Sequence, residues 1–242
     1  FQDAVQICRR LGVSYLWIDS LCIIQDDRED WLEQAKQMGD IYENAITTIA
    51  ATSSSRSSQG IFGTTERRFM AEEMEGYDGI YIRQQPPHWP SNGVSTLDNS
   101  SDWPLLQRGW TYQEIRLSPR TVHFCTQEVI WECAATRKSE SGTDDQDFGA
   151  DFEAGDYHED IHCGYIPYSV LEQNDLRGLW WRTVLEYSGR NLTYESDKMP
   201  ALAALAQRML HLRGNDRYVA GLWEQTLVQD LTWMKNKPAK GT

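Results

Sequence analysis

A run of polar side chains between Asp19 and Asp26 is the first part of the chain that could do chemistry. It directly follows the apolar run YLWI, whose aromatic and β-branched residues are typical of a buried strand. Open α/β sheets usually bind ligands in the crevice at the carboxyl ends of their strands. Carboxylates, a hydroxyl, a thiol and an amide in this place therefore predict part of a ligand-binding site. The residues are Asp19, Ser20, Cys22, Gln25 and Asp26.

A second pattern, from His158 to His162, reads H-E-x-x-H. On a helix it would present two imidazoles to zinc and a glutamate as general base. Its surroundings are rich in Gly and Asp, and Gly164 and Pro167 follow closely, so a solvated loop is the better interpretation. The sequence therefore predicts no metal site.

The cysteines offer a third pattern, because Cys22 or Cys125 with His123 could form a thiolate nucleophile. Both cysteines lie in apolar, strand-like sequence, which favours buried and unreactive thiols. The five cysteines are an odd number without C-x-x-C spacing, so neither a disulfide framework nor a structural zinc cluster is indicated. We expect a reducing, cytoplasmic location and, since no apolar run approaches 20 residues, no membrane span.

The elements that must position the polar run form a strand-helix-strand pattern. Residues 1–12 indicate a helix that ends at Gly12, and Tyr15–Asp19 a strand. A helix is predicted over Asp27–Asn44, with an aspartate cap, and a second strand over Ile46–Ala51. Such a unit has parallel strands joined by a right-handed crossover. The apolar face of the helix comprises Trp31, Ala35, Met38, Tyr42 and Ala45.

The rest of the chain adds a second helix-and-hairpin block and a helical last third. A helix is predicted from Trp103 to just before Pro119, followed by strands Thr121–Cys125 and Val129–Cys133 at hairpin spacing. Apolar residues at helical spacing then predict three further helices. They are Asp175–Ser188, Asp197–Leu212 and Tyr218–Lys235.

The net charge of −13 is unevenly distributed. Nine acids and no Lys or Arg lie between Glu140 and Asp160, so the remainder of the chain is only mildly acidic. The acidic segment has too little apolar surface to offset the entropy of ordering it, which predicts a flexible insertion. No basic stripe is present, which argues against a nucleic-acid partner.

Three blocks of the sequence resemble the fungal heterokaryon-incompatibility (HET) domain and occur in that family's order. They are YLWIDSLCIIQDDREDW, MGDIYENAITTIAA and RGWTYQEIRLSPRTVHFCTQEVIWEC. The resemblance implies a HET domain over residues 1–135, an acidic insertion over 136–170, and a helical C-terminal extension over 171–242 that packs on the core. The family usually opens with a strand carrying a Ser-Tyr-x-Trp-Gly type motif, which is missing here. An N-terminally truncated domain is therefore expected.

The resemblance also implies a role. HET domains act in non-self recognition in filamentous fungi, where fusion of incompatible cells triggers programmed death under the control of an allelic or regulatory partner protein. They look like distant relatives of Toll/interleukin-1 receptor (TIR) domains, which have a flavodoxin-like parallel sheet flanked by helices. Some TIR domains cleave NAD at the nicotinamide-ribose bond, which would make NAD a substrate, with no cofactor required.

By this resemblance Glu114 is the candidate catalytic carboxylate. The segment WTYQE, residues 110–114, has the spacing of the Trp-Cys-x-x-Glu type segment of such enzymes, with Thr111 in place of the cysteine. Loss of nicotinamide needs no protonation of the leaving group, so one anionic side chain beside the ribose can stabilise the oxocarbenium-like transition state.

Four further residues are candidates for substrate binding. Trp110 could stack on a ring, and Asp19, Ser20 or Arg108 could hold hydroxyls or phosphates. The alternative is structural: Trp110 in the core, Arg108 and Glu114 in an ion pair, and Asp19 capping a turn. In that case the chain would be a non-enzymatic module for self-association, as a homo-oligomer, or for recruitment of partners.

Overall fold

A computed structural model describes residues 1–86, 102–143, 145–147 and 176–232 of the chain. The α-helices are α1 (Gln2–Leu11), α2 (Asp19–Cys22), α3 (Arg28–Glu43), α4 (Gly109–Leu117), α5 (Leu176–Ser188), α6 (Pro200–Arg213) and α7 (Leu227–Asp230). The strands are β1 (Thr48–Ala50), β2 (Glu72–Glu73), β3 (Tyr81–Ile82), β4 (Arg120–Phe124), β5 (Val129–Cys133), β6 (Thr136–Ser139), β7 (Gln146–Asp147), β8 (Tyr218–Val219) and β9 (Leu222–Trp223).

The main sheet has five strands in the order β1-β4-β5-β6-β7. β1 pairs in parallel with β4, and the other neighbours are antiparallel. Helices α3, α4 and α6 pack against one another. The predicted α/β class is confirmed, in the form of a mixed sheet flanked by helices.

Helix α3 begins and packs as its sequence predicts. The Asp27 carboxylate caps it by accepting hydrogen bonds from the backbone N–H groups of Glu29 and Asp30, at 2.8 and 3.1 Å. Its apolar face lies against α6, and Gly39 permits the close approach, because a Cβ atom there would lie 2.5 Å from Cβ of Ala204. Helix α1 is also confirmed, and ends at Gly12 with φ 69°.

The predicted strand Tyr15–Asp19 is wrong. The segment before Asp19 is extended, but no backbone hydrogen bond joins it to a strand within the described residues, and Asp19 begins the short helix α2. Tyr15 is 91% exposed. A β-strand requires backbone hydrogen bonds to a neighbouring strand, so an apolar sequence alone does not form one. The partner of β1 is instead β4, which comes some 70 residues later.

The helix predicted from Trp103 is interrupted. A 3₁₀ turn spans Pro104–Gln107, Arg108 is extended, and α4 starts at Gly109. A distant segment causes the break: Gly109 N–H donates to the Asn191 carbonyl at 2.8 Å, and Asn191 N–H donates to the Gln107 carbonyl at 2.6 Å. A continuous helix could not make both bonds.

The predicted hairpin is confirmed as β4 and β5, in a register that pairs Phe124 with Val129. The antiparallel order continues into β6 and β7, where Thr136 pairs with Asp147. Residues at the start of the acidic segment thus extend the sheet, although their sequence predicted no strand there.

The last third is helical only in part. Helices α5 and α6 agree with prediction, and Ala201, Leu205 and Met209 are fully buried along one face of α6. A helix starting at Tyr218 is wrong, because β8 and β9 form a tight hairpin there. Its two-residue turn, Ala220 and Gly221, has φ of 51° and 97°, the left-handed conformation that such hairpins require and helices exclude.

Candidate functional site

The candidate site is built around a hydrogen bond between two helices. Glu114 lies in the second half of α4, and Tyr42 lies near the end of α3. The Tyr42 hydroxyl donates a hydrogen bond to the Glu114 carboxylate. On its other side Tyr42 meets Trp17 edge to face, with ring centroids 5.6 Å apart. The extended segment before α2 is thereby held against the same tyrosine.

The environment of Glu114 weakens its acidity. Burial, followed by the negative charge of Asp19, raises the pKa of Glu114 to about 7, although Arg108 and the Tyr42 hydrogen bond act in the opposite direction. Burial and the nearby charge of Glu114 also raise the pKa of Tyr42 well above its usual value, so the phenol keeps its proton. Glu114 as a whole residue is half-buried, and its carboxylate is the part that burial affects most strongly.

Asp19 reaches this site from the start of α2. It is exposed, and its carboxylate accepts a hydrogen bond from the Ser20 backbone N–H at 2.7 Å. Gln25 fixes the loop that follows, because its side-chain amide donates to the Ile23 carbonyl at 2.9 Å. Ser20 is exposed next to Asp19. The structure therefore brings Asp19 within electrostatic range of Glu114, as two negative groups at one site.

Arg108 supplies the positive charge at the site. It is exposed, and its extended backbone connects the 3₁₀ turn to α4. The backbone at this junction packs closely against Leu192, since a Cβ atom on Gly109 would lie 2.4 Å from Cδ2 of that residue. Arg108 lowers the pKa of Glu114 through its charge, and no hydrogen-bonded ion pair joins the two within the described residues. The guanidinium could thus face an anionic ligand.

Trp110 is held more firmly than the sequence suggested. It lies one helical turn before Glu114, on the same face of α4. Its indole N–H donates to the Asp197 carboxylate at 3.0 Å, and its ring meets Trp31 edge to face at 6.0 Å. Trp110 also packs against the core cluster that contains Tyr112 and Leu205. These contacts fix the ring beside the site as one of its walls.

Tyr42 and Asp197 are the residues that sequence reasoning missed at the site. The periodicity of the sequence places Tyr42 on the apolar face of α3 and Asp197 at the start of a helix. A tyrosine in an otherwise apolar helical stripe was a usable signal, because a buried hydroxyl needs a hydrogen-bond partner. For Asp197 the sequence held no comparable signal.

The Cys–His pattern does not form a nucleophile. The Cys125 thiol donates a hydrogen bond to the backbone carbonyl of His123, at 3.8 Å, and not to its imidazole. Burial raises the pKa of the Cys125 thiol and lowers that of the His123 imidazole to about 3, so the ring is neutral; it contacts the Thr52 hydroxyl through Nδ1 at 3.0 Å. Cys22 is exposed on α2, contrary to the buried position expected for it.

Side chains that can ligate a metal are not clustered in the described part of the chain. No group of three or more His, Cys, Asp or Glu side chains could hold a metal ion there. The H-E-x-x-H pattern at His158–His162 lies outside the described residues. Among the helices that the structure describes, none has both the length and the apolar character needed to cross a membrane.

Comparison with known proteins gives one match. Residues 1–114 match the model of a family described as heterokaryon incompatibility protein (HET). No curated protein and no solved structure matches the chain. The matched residues comprise α1 to α3, β1, the small β2–β3 hairpin and the first part of α4, and they end at Glu114.

Proposed function

Because residues 1–114 of this chain are a heterokaryon-incompatibility (HET) domain, we propose that the protein is an effector or signalling module of fungal non-self recognition and programmed cell death. It acts by cleaving NAD at the nicotinamide-ribose bond, with Glu114 as the catalytic carboxylate. Its natural context includes an allelic or regulatory partner protein inside the cell.

One observation carries the catalytic part of this proposal. Glu114 is a half-buried carboxylate with a pKa of about 7, and it shares its site with exposed Asp19 and exposed Arg108. Perturbed carboxylates flanked by groups of both charges are typical of catalytic sites. The hydrogen bond from Tyr42 helps to fix the orientation of Glu114, and a carboxylate has further lone pairs that can accept contacts.

The reaction requires little of the protein beyond one negative charge. When the C–N bond breaks, its electron pair moves to the pyridinium nitrogen, and nicotinamide leaves as a neutral molecule. The ribose becomes an oxocarbenium-like cation, which the ionised Glu114 stabilises. Water then adds to the anomeric carbon and releases a proton, which gives ADP-ribose. Only the ionised form of Glu114 can perform this role.

The remaining site residues bind and orient the substrate. Arg108 holds the diphosphate through charge-assisted hydrogen bonds. Asp19 accepts hydrogen bonds from ribose hydroxyls, and Ser20 supplies a further hydroxyl at the same edge. Trp110, fixed by Asp197, forms a wall against which a flat ring can pack.

A non-enzymatic function in self-association or partner recruitment is the second candidate. It is favoured by the apolar surface around the N-terminal segment, where α1 has no buried residue and Leu11, Tyr15 and Leu21 are more than half exposed. Several exposed apolar side chains in one segment are a feature of interaction sites. Assembly and catalysis are compatible, but only catalysis requires Glu114.

The test is NAD loss and nicotinamide release by the full chain, measured under conditions that promote assembly. Glu114→Gln should abolish release. Glu186→Gln is the matched control, because Glu186 also accepts a hydrogen bond from a tyrosine, Tyr112, at 2.9 Å, away from the site. Equal release by the wild type and Glu114→Gln, or none by either, would overturn the catalytic proposal.

A further inference from the structure

A second surface, unrelated to Glu114, lies on the small sheet formed by β2 and β3. We call residues 70–82 the hairpin arm. Its large apolar side chains are all at least 39% exposed, which is unusual for six such residues within thirteen. They are Met70, Met74, Tyr77, Ile80, Tyr81 and Ile82.

The hairpin arm is anchored at its base, and the described residues leave its apolar side chains exposed elsewhere. Gln84 N–H donates to the Arg68 carbonyl at 2.8 Å, and the Arg83 guanidinium donates to the Ser141 carbonyl at 2.7 Å. Within the described residues neither β2 nor β3 pairs with a further strand. An isolated two-stranded hairpin is marginally stable in water, and its free edges can accept another extended chain. The shape of the arm thus suits an additional strand.

The charge of the hairpin arm indicates which kind of added strand it would bind. The arm carries Glu72, Glu73, Glu75 and Asp78 and no Lys or Arg. Arg67 pairs with Glu72, and two copies of the arm placed together would still bring eight carboxylates against two such arginines, which disfavours self-association. A partner with positive side chains between apolar ones would complement both the acids and the apolar residues.

A cleft of about 130 Å³ at the base of the arm supports the same partner chemistry. Its lining includes two buried aromatic residues, Phe69 and Trp103, together with three acids and one arginine, which are Glu66, Asp102, Glu128 and Arg68. An aromatic face beside carboxylates is the arrangement that binds guanidinium and ammonium groups.

The chain's own Arg68 shows that this cleft accommodates a guanidinium. Arg68 Cζ lies 4.6 Å from the ring centroid of Phe69, and its Nε lies 2.9 Å from the Glu66 carboxylate. Both side chains of this ion pair are more than half exposed, so a cation from outside can exchange with it.

We propose that the hairpin arm and the cleft at its base form a docking surface for an extended segment of a partner protein in which Arg or Lys side chains alternate with apolar ones. The segment adds a strand to the arm, its apolar residues cover Ile82 on one face of the small sheet, and one basic side chain enters the cleft.

The test uses two labelled hexapeptides and the full chain, with binding followed by fluorescence anisotropy. In one peptide Leu alternates with Arg, and in the other Leu alternates with Glu. The Leu/Arg peptide should bind at least about tenfold more tightly, and its affinity should fall with added salt. Equal binding of the two peptides, or binding of neither, would contradict the proposal.

Matched variants locate the contact. Glu72→Gln should weaken binding of the Leu/Arg peptide, whereas Glu224→Gln should leave binding unchanged. The two glutamates are matched, because their side chains are 53% and 54% exposed and each pairs with one arginine. Ile82→Ser should lower the affinity for the Leu/Arg peptide about three- to tenfold, as expected for an apolar interface contact. Val228→Ser, at an exposed position of α7, should leave this affinity unchanged.

Two further results would overturn the docking proposal. If methylguanidinium alone competes as effectively as the peptide, the cleft is a site for small cations. If sedimentation shows that the free chain self-associates and Ile82→Ser abolishes this, the arm is an interface between copies. Neither result concerns Glu114, because the NAD assay tests a different site from the peptide-binding assay.

Discussion

The Tyr42 hydroxyl donates a hydrogen bond to the Glu114 carboxylate, and this bond joins α3 to α4 at the candidate site. It favours the ionised form of Glu114 against burial and the charge of Asp19, both of which disfavour it. Catalysis would require the ionised form. A change in the pKa of Glu114 should therefore alter the pH dependence of nicotinamide release and of protein stability.

Nicotinamide release should rise with pH through the pKa of Glu114, about 7, and level off above it. Tyr42→Phe removes a hydrogen bond that lowers this pKa, so the midpoint of the profile should move to higher pH by up to about one unit. Rates measured between pH 5.5 and 9 test this. Tyr112→Phe, which alters the Tyr112–Glu186 pair, should leave the midpoint unchanged. A shift to lower pH would contradict the assigned role of Tyr42.

Asp19→Asn should have the opposite effect on the pH profile. Asp19 raises the pKa of Glu114 through its negative charge, so neutralising it should move the midpoint to lower pH. The Michaelis constant for NAD should rise as well, if Asp19 binds ribose hydroxyls. Asp26→Asn, in the same exposed loop, is the control and should change neither quantity. An unchanged midpoint in Asp19→Asn would show that the two carboxylates do not interact.

The raised pKa of Glu114 also predicts how stability depends on pH. The folded state holds the proton more tightly than the unfolded state, whose carboxyl ionises near pH 4.5, so the free energy of unfolding should decline as pH rises from there to about 7. Glu114→Gln should lose this part of the decline and be more stable than wild type at pH 8, by roughly 1–3 kcal/mol. Urea titrations of both proteins at pH 5 and pH 8 give the comparison. A larger advantage at pH 5 would contradict the assignment.

The junction before α4 gives a prediction about packing. A methyl group on Gly109 would lie 2.4 Å from the Leu192 side chain, so Gly109→Ala should reduce the free energy of unfolding by about 1–3 kcal/mol. Adding Leu192→Ala removes the obstructing atoms, and the double variant should lose less than the two single changes combined. Strict additivity in urea unfolding would show that the two residues do not contact each other.

Much of the fold could be predicted because the relevant signals are local. Asp27 followed by an apolar residue every three or four positions specifies α3, and alternation around Thr126–Glu128 specifies the β4–β5 hairpin. The failures have distant or conformational causes. Arg108 leaves the helix because Asn191 bonds to its neighbours, and Ala220 turns the chain through a positive φ that its residue type does not announce.

The candidate site was predicted in part for the same reason. The structure brings Asp19 and Arg108 within electrostatic range of Glu114, although Asp19 lies at the start of α2 and not at the end of a sheet strand. For Tyr42 the sequence predicts only a position on the apolar face of α3. Periodicity indicates which face of a helix a residue occupies, but not which group its hydroxyl contacts. Trp110 lies beside Glu114 but is bonded to Asp197, 87 positions away along the chain, a contact beyond the reach of local patterns.

The most direct test of the account measures nicotinamide and ADP-ribose together, in the wild-type full chain and in Glu114→Gln, at pH 8, where most of Glu114 is ionised. We expect the wild type to form the two products in equal amounts, Glu114→Gln to form neither, and Glu186→Gln to match the wild type. Product formation by Glu114→Gln at the wild-type rate would show that this carboxylate is not the catalytic group.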